Sequence, residues 1–155
     1  MSSSRAQANH RLYLAKIQLS AWRRELAAQD IPAITLGQAF LPAVREHLLD
    51  AYGWYLLAVT GMEADPTALP RSCAELPPVA KGKAVPGEIR EFQQLERDGW
   101  LAELLSPPAP QAGAASSSFN LASTAPVLPD TERAGEWIQR LETLFDRMGD
   151  SLDEY

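Results

Sequence analysis

The sequence predicts an all-α chain, folded as an antiparallel four-helix bundle with a long crossover after helix two and a flexible linker before the last helix. Three observations predict it. Apolar residues recur at alternating steps of three and four in separate segments, no stretch shows the period-two alternation of a half-buried strand, and proline-rich text divides the periodic segments.

The first helix, about 5–29, rests on Ala8, Leu12, Ala15, Leu19, Trp22 and Leu26, the cleanest periodic stripe in the chain. Leu14, Ile17 and Ala21 widen the stripe and imply two neighbours; Asp30 and Pro32 then end the helix. The second, about 36–61, carries Leu41, Val44, Leu48, Tyr52, Tyr55 and Val59 on one side and Leu49, Trp54 and Leu56 on others, which implies a central position. Gly53 inside it costs about 1 kcal/mol relative to Ala, so it is read as a point of close approach by another helix.

Prolines 66, 70, 77, 78 and 86 make the next segment a crossover, with room for one turn from Ser72 to Leu76. The third helix, about 86–105, opens at Pro86, shows Ile89, Phe92 and Leu95, breaks at Asp98-Gly99 and resumes at Trp100. From about 106 to 129 Pro, Ala, Ser and Gly dominate, the composition of a linker. The last helix, about 130–152, starts at Asp130 or Thr131 and carries Trp137, Leu141, Leu144, Met148 and Leu152.

At 155 residues the chain fits one helical domain, residues 1–155, that can fold on its own core. Its 46% hydrophobic and 22% charged residues are globular values. The N-terminal text lacks a signal-peptide core, and the longest apolar stretch, Leu48 to Met62, is too short for a bilayer, so no membrane is expected. A single cysteine, Cys73, fits a reducing, cytoplasmic setting. A formal charge of -6 repels phosphate backbones, which argues against a nucleic-acid partner. Within that total the first helix is rich in arginine and the last in carboxylates, charges that compensate if the two helices are neighbours.

The runs RAQANHRLYL (Arg5 to Leu14), REHLLDAYGWYLL in helix two and LERDGWLAELL in helix three together resemble a family of short helical proteins of unknown function from pseudomonads and related gammaproteobacteria. The resemblance implies a bacterial, cytoplasmic helical protein. It implies no catalytic residue, substrate or cofactor.

Several groups could carry chemistry, each with a plainer alternative. Arg5 and His10 have the spacing of the Arg-x4-His motif of HEPN ribonucleases, although that motif usually sits on a late helix; the alternative is a solvated helix start. Glu46 and Asp50, beside His47, put two carboxylates on one helical face, but the Glu-x-x-His step of a di-metal bundle is missing, which leaves an exposed polar side. Tyr52, Trp54 and Tyr55 could line a pocket for an apolar ligand or lipid, against plain core packing. Phe119, Asn120 and Leu121, with Val127 and Leu128, are the bulky apolar islands of the linker and could dock on a partner or on the chain's own helices. Cys73 has Arg71 two residues away, the one basic neighbour that could activate it. With no nucleophile-base set, phosphate loop or metal spacing, the expectation is a non-catalytic helical bundle that works through contacts with another protein and needs no cofactor. A ligand- or lipid-binding bundle and a HEPN-like ribonuclease are the alternatives.

Overall fold

The computed structural model describes residues 3–62, 67–77, 84–106 and 130–153. Among the described residues the chain is all-helical: α1 (Ser4–Ala28), α2 (Ala33–Thr60), a 3-10 turn (Cys73–Glu75), α3 (Gly87–Asp98), α4 (Trp100–Leu105) and α5 (Asp130–Asp153). None of these helices is long and apolar enough to cross a membrane.

The Ser3 hydroxyl caps α1 by accepting the Ala6 N–H at 3.1 Å, and the helix stops at Gln29 in the left-handed region, φ 57°. Its stripe of Ala8, Leu12, Ala15, Leu19 and Trp22 is buried. Ile17 is not part of it. Leu14 and Ala21 are half-buried, whereas Ile17 is 46% exposed, because 100° per residue carries it round to the side that α1 turns away from the core.

The second helix begins directly after Pro32, three residues before the expected Leu36, since proline's fixed φ suits entry into a helix. Pro42 stands inside it on an exposed position, where the carbonyl that loses its donor can meet water. A β-carbon on Gly53 would come within 2.5 Å of the Pro70 carbonyl oxygen. The close approach expected there is therefore real, but the neighbour is the connecting segment 67–77 rather than a helix. The break at Gly99 separates α3 from α4, and its N–H returns to the Leu95 carbonyl at 3.0 Å.

Residue pairs fix the helix directions. Arg11 lies 4.0 Å from Asp50 and Trp22 stacks on Phe40, so α1 and α2 run oppositely. Lys16 pairs with Glu142, while the guanidinium of Arg23 lies over Gly135 and that of Arg5 over Gly149, so α5 also opposes α1. Tyr52 meets Phe92 and Arg45 meets Leu104, which sets α3 and α4 against α2. The helix-one cations and helix-five carboxylates thus face one another. Trp22, Tyr52, Tyr55, Phe92, Leu48 and Leu141 are among the largest fully buried side chains, and they come from α1, α2, α3 and α5.

Candidate functional site

The aromatic group of α2 is divided between two environments. Tyr52 and Tyr55 are fully buried. Tyr55 stacks on Phe145 at 4.0 Å between centroids, and its hydroxyl donates to the Phe145 carbonyl at 3.0 Å; both tyrosines meet the edge of Phe92. Trp54 is half-buried against the core, and its indole Nε1 has no hydrogen-bond partner among the described residues. Four clefts, of about 790, 430, 380 and 190 Å³, are lined by other residues than Tyr52, Trp54 and Tyr55.

Instead, Tyr52 belongs to a part-buried polar node that joins three segments. Its hydroxyl donates to Glu96 Oε2 on α3, and the same oxygen accepts the Cys73 backbone N–H at 3.0 Å from the 3-10 turn. The Cys73 thiol lies 3.7 Å from the Tyr52 hydroxyl. Burial, with the Glu96 hydrogen bond next, pushes the Tyr52 phenol far above the usual tyrosine range. Burial, again with Glu96 beside it, pushes the Cys73 thiol from 9.0 up to about 12. A thiol held in its protonated form is a poor nucleophile. Arg71 does not offset this, because it pairs with Glu46 at 2.9 Å. The node fastens segment 67–77 to α2 and α3, and two clefts of about 380 and 190 Å³ flank Cys73.

The other paired groups are engaged as well. Glu46 is held by Arg71 and Asp50 by Arg11, and no group of His, Cys, Asp and Glu that could hold a metal ion occurs among the described residues. Arg5 reaches across to α5, whereas His10 is exposed. Phe119, Asn120 and Leu121, with Val127 and Leu128, lie outside the described residues.

The surface holds what the interior does not. Among the described residues the exposed large apolar side chains are Tyr13 at 58%, Ile17 at 46%, Ile31 at 41% and Ile34 at 62%, all within one stretch formed by α1, the turn after it and the first turn of α2. Tyr13 and Ile17 are one helical turn apart on the solvent side of α1, in line with Ser20 and Arg24. Beside them an open groove of about 790 Å³ runs between α1 and α5, with Lys16, Ser20 and Arg23 on one wall and Glu136, Glu142 and Asp146 on the other.

Sequence reasoning missed Glu96, Arg45 and Tyr13 as functional or positioning residues. Only Tyr13 left a usable signal there: it is a large apolar residue set off the stripe that the spacing gives α1. No protein-family model, curated protein or solved structure matches this chain.

Proposed function

We propose that this chain is an antiparallel four-helix bundle without catalysis of its own, acting through contact with another protein, and that the solvent face of α1 makes the contact. The observation that carries the reading is the confinement of every exposed large apolar side chain among the described residues to positions 13–34. Isolated exposed apolar residues are ordinary, but Tyr13 and Ile17 stand one turn apart on one face of α1, and an apolar pair of that kind supports a surface that is covered in use. The protonated Cys73 thiol and the engaged carboxylates support a scaffold rather than a catalyst. A single free cysteine supports the cytoplasmic setting.

A photo-crosslinking residue placed at exposed Ser20, in the native cell, tests the reading against the same residue at exposed Gln94 on α3. A discrete protein adduct at position 20 and none at position 94 is the expected result. Adducts at neither position, or equally at both, would remove α1 as the contact surface.

A further inference from the structure

We infer that the partner of the α1 face is a short amphipathic helix with acidic residues two turns from an apolar pair; this rests on the reading above. Of the five cations on α1, four are directed at the chain's own helices: Arg5 over Gly149, Arg11 against Asp50, Lys16 against Glu142 and Arg23 over Gly135. The fifth, exposed Arg24, has no ion-pair partner among the described residues. Arg24 follows Ile17 by seven residues, which places it on the same face, about 10 Å further along. Between Ser4 and Arg24 the helix carries no carboxylate; its one acid, Glu25, points a quarter-turn away, toward the α2 side. The face is therefore an apolar pair followed by a cation that no described residue pairs, and it is complemented by apolar residues at i and i+4 with Asp or Glu beyond them.

A second copy does not meet that description. Laying α1 on α1 would bring arginine to a face that offers no acid, and two half-exposed side chains fall far short of the roughly 800 Å² per partner that a stable dimer buries. A contact of this size suits one helix of a larger partner, docked weakly along the crest of α1. The carboxylates on the far wall of the α1–α5 groove keep an acidic helix out of the groove itself.

The test titrates the isotope-labelled full chain with a synthetic helical peptide of alanine and glutamine carrying two leucines one turn apart and glutamates two turns beyond, and with a twin carrying lysines instead. The glutamate peptide should shift the amides of Tyr13, Ile17 and Arg24 and bind about fivefold more tightly than its twin, as a rim charge pair allows. Arg24→Glu should reverse that order, and Ile17→Asp, at an exposed position, should keep the circular dichroism of the parent while weakening both peptides about tenfold. Equal affinity for the twins, shifts elsewhere on the chain, or an order that Arg24→Glu leaves unchanged would overturn the inference. So would binding of phosphatidylserine vesicles through this face in preference to either peptide, or concentration-dependent self-association lost on Ile17→Asp. A crosslink at position 20 without charge preference would leave the contact reading standing and remove only the acidic partner; absence of both crosslink and peptide shifts would remove both.

Discussion

Arg45 on α2 donates from Nε to the carbonyl of Leu104, 59 residues later in the chain, at 3.0 Å, and its Nη2 reaches the carbonyls of Leu105 and Ser106 at 3.1 Å each. One guanidinium thereby satisfies the open carbonyl end of α4, a helix of only six residues that has little hold of its own. Arg45→Ala should lower stability in urea unfolding by about 2 kcal/mol, the cost of losing charge-assisted bonds to a helix end. Arg45→Lys should recover little of it, because an ammonium cannot span three carbonyls. Full recovery by lysine would show that only the charge matters.

Glycine substitutions on α2 and α5 should act in opposite directions. Gly53→Ala gains about 1 kcal/mol in helix propensity but drives a β-carbon into the Pro70 carbonyl, a backbone atom held in place, so a net loss of at least about 1 kcal/mol is expected. Gly149→Ala meets only the guanidinium of Arg5, the mobile end of a long side chain, and should be neutral or stabilising by up to about 1 kcal/mol. Thermal denaturation of the two variants side by side checks the contrast.

Alkali should loosen the polar node. Cys73 moves from 9.0 up to about 12 and Tyr52 moves upward from 10.0, so the fold favours the protonated forms of both. Their contribution is complete below about pH 9 and is lost as pH rises toward about 12, where the unfolded chain has released protons that the folded chain retains. Urea midpoints between about pH 8 and about pH 11 should fall in the parent and fall less steeply in the Tyr52→Phe, Cys73→Ser double variant. Parallel curves would mean that the node does not govern the alkaline limit.

The same burial predicts slow chemistry at the thiol. At about pH 8, alkylation of Cys73 in the folded chain should run at least 100-fold slower, roughly, than in denaturant, because both the thiolate fraction and access are reduced. Comparable rates would show that segment 67–77 opens freely.

Leu19→Asp should unfold the protein or lower its melting temperature severely. The residue is 5% exposed in the α1 stripe, and an unpaired carboxylate there costs on the order of 3 kcal/mol or more.

The helices were legible in the sequence because burial on one face leaves a period, as Ala8, Leu12, Ala15, Leu19 and Trp22 demonstrate. Gly53 announced a close approach, yet not its neighbour, since a missing β-carbon says that something is near without saying what. The Tyr52, Cys73 and Glu96 node was illegible for a different reason. Its members come from three segments brought together only by folding, and a polar group satisfied across the core has no periodic trace. Ile17 falls outside the stripe although the sequence widens the stripe to include it, because a widening apolar band does not reveal which of its edges is covered; Leu14 and Ala21 are half-buried and Ile17 is exposed.

The opposed charges of α1 and α5 bear on how fast the chain assembles. These are the first and last of the described helices, so their docking closes a longer loop than that of any other pair of them, a step whose entropy slows folding. Exposed pairs such as Lys16 and Glu142 add little to equilibrium stability, but opposite fields raise the frequency of encounter before any contact forms. Added salt, which shortens the reach of those fields to a few ångströms, should therefore slow refolding far more than it changes the unfolding midpoint. The pairs that contribute least to holding the folded chain together would be the ones that bring α1 and α5 to each other.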